Sequence, residues 1–205
     1  MNAEELVTTI VSAAIAVIVP SAIKQFWPEP EPSDSVPWLT WAVGGFVGGA
    51  LGGLLSGILG AAGAGVGNWA AFGMAIGLMQ WFALRGYRPV GIWFIVASTL
   101  GWTFFTLGGP LGSIWGWIIA GAAVGILQSL SLGHGTSAVW WIVVNPIAWV
   151  LAGWAGIVVG TPLMQATPVL GWIVGWGVAG LVGALILIVP LTRLQARNRP
   201  VEQPA

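Results

Sequence analysis

The chain has very few charged side chains and no cysteine. Of its 205 residues, 6 are Lys or Arg and 6 are Asp or Glu, so charged residues make up 6% of the sequence. Soluble domains carry about 25%. So few charges cannot coat a surface that faces water, and the chain is therefore expected to be an integral membrane protein. The lack of cysteine excludes disulfides and thiolate metal sites.

Carboxylates are missing from the whole central part of the chain. Every Asp and Glu lies at or before Asp34, except Glu202. Proton-relay transporters usually place a carboxylate inside the membrane, and a Ser–His–Asp set also needs one. The sequence therefore predicts no catalytic residues, no metal site and a non-enzymatic protein. A net charge of zero without a basic cluster argues against nucleic-acid binding as well.

Hydrophobic residues make up 57% of the chain and occur in long runs. A spanning helix needs about 20 mostly apolar residues. Seven segments qualify, at 5–26, 38–62, 67–85, 89–109, 112–132, 138–160 and 170–190. Segments rich in Gly and Pro, which are typical of turns, separate them. The predicted fold class is all-α, a polytopic membrane helix bundle with seven transmembrane helices.

The seven segments divide the chain into four regions. Residues 1–27 are expected to form an N-terminal helix that either crosses the membrane or lies along its interface, and crossing is favoured. A Pro-rich acidic linker follows at 28–37, because Pro favours extended backbone. Residues 38–190 are expected to form a six-helix membrane bundle, and 191–205 a polar cytoplasmic tail.

The basic residues indicate an orientation. With seven spans, one face carries all six of them, namely Lys24, Arg85, Arg88, Arg193, Arg197 and Arg199. Loops rich in Lys and Arg face the cytoplasm. The sequence therefore predicts a location in the bacterial plasma (inner) membrane or another bacterial membrane. The C-terminus is expected in the cytoplasm and the N-terminus on the opposite side.

An internal repeat runs through the predicted bundle. Five residues of the third span recur 48 positions later in the fifth: Trp69, Gly73, Gly77, Gln80 and Leu84 match Trp117, Gly121, Gly125, Gln128 and Leu132. The seventh span follows the pattern with substitutions: Trp176, Gly180, Ala184, Leu187 and Leu191. Two helical hairpins are thus duplicated. Pairing the seventh span with the second predicts a third hairpin and approximate threefold symmetry.

Glycine is abundant and regularly spaced. Small residues four positions apart let helix backbones approach closely, which promotes association of helices in lipid. The sequence therefore predicts Gly-zipper packing at nine positions, namely Gly45, Gly49, Gly53, Gly73, Gly77, Gly121, Gly125, Gly153 and Gly160.

The 15 tryptophans fall into two predicted groups. Most lie near span ends, where indole rings favour the headgroup level; among them are Trp38, Trp41, Trp69, Trp93, Trp115, Trp117, Trp140, Trp141 and Trp172. Four others lie deeper and are expected to fill gaps beside the glycines, namely Trp102, Trp149, Trp154 and Trp176.

Five polar residues near the predicted cytoplasmic side are candidate ligand-binding residues: Gln80, Arg85, Gln128, His134 and Asn145. One interpretation is a vestibule that binds a neutral or anionic small molecule, with Arg85 at its rim. The favoured interpretation is that the amides hydrogen-bond across helices. His134 lies in a predicted loop, as a solvated side chain or as an axial ligand of a pigment metal. The sequence requires no cofactor.

The segment GLMQWFALRGYRP at 77–89 resembles a loose family of uncharacterised bacterial multi-pass membrane proteins, frequent in cyanobacteria and Chloroflexi. These proteins repeat G-x-x-Q-W-x-x-L-R before a Trp-rich helix. The resemblance rests on Gly77, Gln80, Trp81, Leu84, Arg85, Trp93 and Trp102. Residues 125–149 match in part, since Ser129 and Gly133 replace the Trp and Arg of the motif. The resemblance implies the topology and the repeat but no activity.

The leading functional hypothesis is a non-enzymatic scaffold or accessory subunit of a larger membrane complex. It would associate through its Gly-rich helix faces with lipids, with other membrane subunits or with copies of itself. The first alternative is a channel or facilitator for a neutral or anionic small solute. The second is a protein that binds pigment or lipid.

Overall fold

Six α-helices and one 3-10 turn make up nearly all of the part of the chain that the structure describes. The computed structural model describes residues 37–85, 87, 90–108, 113–132 and 136–196. The helices are α1 (Trp38–Ala61), α2 (Val66–Leu84), α3 (Trp93–Thr103), α4 (Ile114–Leu132), α5 (Thr136–Ala166) and α6 (Pro168–Ala196), and the 3-10 turn Phe104–Gly108 continues α3. These residues include no strand, which confirms the all-α prediction for this part of the chain.

Four helical segments are long and apolar enough to cross a membrane: Trp38–Ala61, Ile114–Leu132, Ala138–Ala166 and Pro168–Thr192. They are consistent with the predicted membrane location. The prediction of seven spans is not supported. The predicted first span, 5–26, and nearly all of the linker at 28–37 lie outside the described residues.

Two of the predicted spans are weaker than expected. α2 has 19 residues but includes Asn68 and Gln80, which lower its hydropathy. Within the predicted span 89–109, the described residues contain 11 α-helical residues followed by the 3-10 turn. Near this transition the Thr103 and Thr106 hydroxyls donate to carbonyl oxygens three residues earlier, at 2.6 and 2.9 Å. Such side-chain bonds offer the backbone an alternative to the regular α-helix.

Two helices continue past prolines at which the predicted spans had ended. α5 runs through Pro162 to Ala166, and α6 runs through Pro190 to Ala196. The predicted boundaries at 160 and 190 were therefore wrong. In membrane helices the groups freed by Pro are satisfied by neighbouring helices or local adjustments, so Pro is a poor end signal. The first six residues of the predicted tail belong to α6.

The helices form a closed ring in chain order. Each helix packs against its neighbours in sequence, and α1 also packs extensively against α6. The pairing of the second and seventh predicted spans is therefore observed. Glycines with positive φ, Gly63 at 77° and Gly65 at 50°, form the turn between α1 and α2. A residue with a side chain would be strained there.

α1 carries glycine on two faces. Added Cβ atoms at Gly44, Gly48 and Gly52 would meet α2 at 2.8–3.2 Å. Cβ atoms at Gly45 and Gly49 would meet backbone atoms of Gly180 in α6, at 2.6 and 3.1 Å respectively. α1 is thereby held close to both of its neighbours along most of its length.

The nine predicted packing glycines all face a neighbouring helix of the same chain. The repeat is visible in these contacts: Gly73 faces Ser98, and 48 residues later Gly121 faces Pro146. In the third hairpin Gly180 faces Gly45. Since these faces are covered within the bundle, they are not free to bind other proteins. A partner would have to use a different surface from the one that the sequence indicated.

Two buried layers fill the ring. The proximal end is defined here as the end at which α1, α3 and α5 begin, and its layer is centred on Trp41, Phe94 and Trp141. The layer at the opposite, distal end contains Phe72, Trp102 and ten other buried residues. Trp41, Trp69, Trp117 and Trp141 are buried in these layers, so their rings contact the bundle interior and not the headgroups that the prediction assigned to them. The predicted gap-filling role of Trp154 was wrong, since its side chain is exposed.

The contact at Gly49 predicts how the bundle responds to one added methyl group. In Gly49→Ala the new Cβ would lie against the Trp176 carbonyl oxygen and the Gly180 backbone. We expect the free energy of unfolding to fall by about 1–3 kcal/mol, because backbone cannot move aside cheaply. Unfolding in detergent, followed by circular dichroism, measures this.

Gly57→Ala is the matched control, since its Cβ would find the Trp172 ring at 3.6 Å, an ordinary contact. Both variants gain the same helix propensity. Equal stability of the two proteins would contradict the packing role of Gly49.

Candidate functional site

The two repeat-related glutamines meet inside the bundle. Gln80 on α2 and Gln128 on α4 are both buried, and the Gln128 Nε2 donates to Gln80 Oε1 at 3.4 Å. Because the hairpins are duplicated, equivalent residues of α2 and α4 point to the same region of the interior. The distance is long for a hydrogen bond. Among the described residues, this contact is nevertheless the one hydrogen bond that joins an amide side chain of the first repeat to one of the second.

Indole groups extend this link along α5. The Trp141 Nε1 donates to Gln128 Oε1 at 3.2 Å, and the Trp149 Nε1 donates to Asn145 Oδ1 at 3.1 Å. Asn145 Nδ2 donates to the Trp141 carbonyl oxygen at 3.2 Å. The five residues Gln80, Gln128, Trp141, Asn145 and Trp149 are called the amide chain below. Its members bond mainly to each other, which accounts for their complete burial.

The third repeat lacks this polar pair. Leu187 of α6 occupies the position of Gln80 and Gln128 in the pattern and is buried in the same layer as Trp141. Trp41 on α1 donates its Nε1 to the Ala184 carbonyl oxygen at 2.7 Å, one turn of α6 away. The interior is thus polar on the side of α2, α4 and α5 and apolar on the side of α6.

Arg85 lies at the proximal end of α2, five residues after Gln80. Its guanidinium carbon is 4.8 Å from the Phe82 ring centre and 5.5 Å from the Trp81 ring centre, both within the range of a cation–π interaction. Trp81 donates its Nε1 to the Val90 carbonyl oxygen at 2.9 Å. Arg85 therefore rests on aromatic rings at the end of the bundle. His134 lies outside the described residues.

The structure brings together three of the five predicted ligand-binding residues, Gln80, Gln128 and Asn145. Sequence reasoning missed Trp141 and Trp149, which complete the amide chain. The signal for Trp141 was present, because it matches Trp93 at the repeat offset of 48. The outcome differs between the two: Trp141 is buried, whereas Trp93 is exposed and donates to the Leu127 carbonyl oxygen at 3.3 Å.

Seven aromatic side chains of the distal layer are called the aromatic cluster below: Trp69, Phe72, Trp102, Phe105, Trp117, Trp149 and Trp176. Trp69, Trp117 and Trp176 are the equivalent residues of the three repeats. The Trp176 ring centre is 5.8 Å from that of Trp69 and 5.5 Å from that of Trp117. Most of the contacts in the cluster are edge-to-face, a favoured geometry for aromatic rings.

The amide chain and the aromatic cluster share Trp149. Its ring centre lies 4.7 Å from that of Trp102 in an edge-to-face contact, while its Nε1 bonds to Asn145. Unlike the Nε1 of Trp149, the indole nitrogens of Trp102 and Trp176 have no hydrogen-bond partner in the structure. Within the aromatic cluster, buried indole nitrogens are therefore hydrogen-bonded at Trp149 but not at Trp102 and Trp176.

No protein-family model matches the chain, and no match was found among the curated proteins or the solved structures. The resemblance to bacterial multi-pass membrane proteins stays a prediction. The function therefore has to be argued from the residues and their geometry.

The amide chain provides hydrogen bonding and packing. It consists of amide and indole side chains, which are neither acids nor bases near neutral pH. The described residues contain no group of three or more His, Cys, Asp or Glu side chains that could hold a metal ion. This interior is suited to holding helices together in a defined register.

The amide chain predicts unequal effects of removing its two glutamines. Gln128→Leu leaves both Trp141 Nε1 and Gln80 Oε1 without partners, so we expect a loss of about 1–3 kcal/mol in the free energy of unfolding. Gln80→Leu breaks one bond and should cost less. The double variant should cost less than the sum of the two by about 0.6 kcal/mol, a typical coupling in membrane helices. Unfolding of all three in detergent measures these differences, with the exposed Gln165→Leu as control, and strict additivity would contradict the pairing.

Two buried tryptophans offer a matched test of the indole hydrogen bond. Trp102 and Trp149 are 0% and 1% exposed, but only Trp149 donates its Nε1 to a partner. Replacement by Phe leaves a similar gap at both positions. We expect Trp149→Phe to lower the free energy of unfolding by about 1 kcal/mol more than Trp102→Phe does. A larger loss for Trp102→Phe would show that its indole nitrogen has a partner.

Proposed function

We propose that this chain is a non-enzymatic integral membrane protein that acts as an accessory subunit and holds partner membrane helices on its outer surface. The observation that carries the proposal is the amide chain, whose buried polar groups bond mainly to each other. An interior that is committed to its own packing leaves the outer surface as the place of function.

The face of α5 outside the ring is the surface that best fits a partner helix. Exposed apolar side chains follow each other there at intervals of three or four residues, namely Trp140, Val143, Ile147, Leu151, Trp154 and Val158. This spacing places them on one stripe of the helix. The stripe is rigid, because the opposite face of α5 packs against α4 and α6.

Neither alternative function has comparable support. A channel through the ring would have to pass the aromatic cluster and the amide chain, where Trp102, Trp149 and Gln128 are almost completely buried. Pigment binding was argued from His134, which lies outside the described residues. The filled interior therefore favours a function on the outer surface, as an accessory subunit has.

Photo-crosslinking in native membranes tests the proposal. A benzoylphenylalanine at Ile147 lies on the α5 stripe, and one at Val43 lies on the exposed face of α1. We expect Ile147 to give one discrete adduct above the monomer mass on irradiation, because a docked helix stays in contact with it. Mass spectrometry of that adduct identifies the partner.

The Val43 position is the control for random collisions in the membrane. If neither position gives a discrete adduct, or if both give the same diffuse pattern, the chain has no stable partner on α5. Flux of a small solute through liposomes, lost in the Gln128→Leu variant, would instead support the channel.

A further inference from the structure

We propose that this protein imposes a graded thickness on the bilayer, which is thinner beside α3 and α4 than beside α5 and α6, with the whole difference at the distal end. The partner of this surface is the lipid itself. The inference requires the chain to span a membrane but does not depend on an accessory role.

The helices that face lipid differ widely in length. α3 has 11 residues and its 3-10 extension 5, which together span about 26 Å. α4 has 19 residues, or about 28 Å. The apolar segments of α5 and α6 have 29 and 25 residues, or about 43 and 37 Å. The hydrocarbon core of a bilayer is about 30 Å thick, so one side of the ring is slightly short and the other is long.

The proximal ends of α3, α4 and α5 lie at a similar height. Trp93 at the start of α3 donates its Nε1 to the Leu127 carbonyl oxygen near the end of α4. A Cβ at Gly125 of α4 would lie 3.2 Å from Ile142 near the start of α5. The difference in length between α3 and α5 must therefore accumulate at the distal end.

Contacts between neighbouring helices give the relative heights at the distal end. A Cβ at Gly108 would touch Gly116 at the start of α4, and a Cβ at Gly153 of α5 would touch the ring of Trp117, also on α4. α4 and α5 are antiparallel neighbours, so the distal end of α3 reaches about the height of Trp154. Leu107, whose side chain is 70% exposed, is the last described large apolar residue of α3 and lies at this height.

α5 continues beyond this height with apolar side chains. Ile157, Val158 and Val159 are all exposed, and the next exposed polar residue, Thr161, comes seven residues after Trp154, or about 10 Å further along the helix. α6 accompanies α5 over this distance, because a Cβ at Gly160 would lie 3.0 Å from the Gly171 carbonyl oxygen. Val169 and Leu170 on α6 are exposed as well.

A flat bilayer cannot match both sides. If it ended at Leu107, the exposed valines of α5 would lie in water or among headgroups. If it ended at Thr161, the 3-10 turn Phe104–Gly108 would lie in hydrocarbon, where lipid-exposed irregular backbone is not tolerated. Lipids adjust their local thickness to a protein at modest cost. The bilayer is therefore expected to follow the apolar surface around the ring.

Spin labels on single cysteines measure the depth of each position directly, and the chain contains no cysteine that would interfere. The distal pair is Leu107→Cys and Val158→Cys, since Val158 is 53% exposed and lies about four residues beyond the height of Leu107. The proteins are placed in vesicles of phosphatidylcholine and phosphatidylglycerol. Power saturation with oxygen and with a water-soluble nickel chelate then gives the depth of each label.

In a graded bilayer the label at position 158 is at least as deep as the label at position 107. In a flat bilayer the label at position 158 is about 6 Å closer to water than the label at position 107, because four helical residues rise about 6 Å. This result would overturn the proposal. The proximal pair is the control. Leu130→Cys on α4 and Val139→Cys on α5, at 65% and 56% exposure, lie at similar heights and should have equal depths.

The proposal would also be overturned if a second copy of the chain, and not lipid, covered Val158 and Val159 of α5. Such a copy would shield the label at position 158 from both oxygen and nickel, and dilution with unlabelled protein would narrow its spectrum. If Val158→Cys does not fold, as judged by its helical circular dichroism, the neighbouring exposed Val159→Cys replaces it and must show the same depth relation to position 107.

Discussion

Glycine lets the helix backbones approach closely enough for the ring to close. Cβ atoms at Gly45 and Gly49 would collide with the backbone of α6, and those at Gly48 and Gly52 would press on α2. In lipid there is little hydrophobic force between helices, so van der Waals contact at such seams must hold them together. With α1 held between α2 and α6 the ring closes, and its interior is narrow enough to be filled by aromatic side chains.

The duplication of the hairpins gives this interior its polar character. A residue that points inward from one repeat has an equivalent that points inward from the next, and Gln80 and Gln128 therefore meet. Each buried amide would be costly alone, but together with Trp141 they satisfy one another. The third repeat has Leu187 at this position, where an apolar residue needs no partner. The polar side of the interior thus coincides with the two hairpins that are duplicated most closely.

Because the interior is filled and the glycine seams are covered, the outer surface is the part of the bundle that can bind a partner. The height of this apolar surface varies around the ring, since α5 extends several apolar residues beyond the distal end of α3. The α5 stripe, from Trp140 to Val158, faces outward over this transition. A partner helix would contact this stripe in the native complex, and lipid would contact it where the chain is alone in a bilayer.

Composition and periodicity are local properties of the chain, and they were sufficient to predict the all-α fold, apolar helices long enough to cross a membrane, and the glycines of the seams. Which tryptophans are buried depends on the packing of the helices, since Trp93 and Trp141 are equivalent in the repeat yet lie outside and inside the ring. This packing also decided the lengths of the helices: neighbours in lipid let α5 and α6 continue through Pro162 and Pro190, whereas α3 gave way to a 3-10 turn. The amide chain joins residues far apart in sequence, and their separation is set by the closure of the ring, which no local pattern encodes.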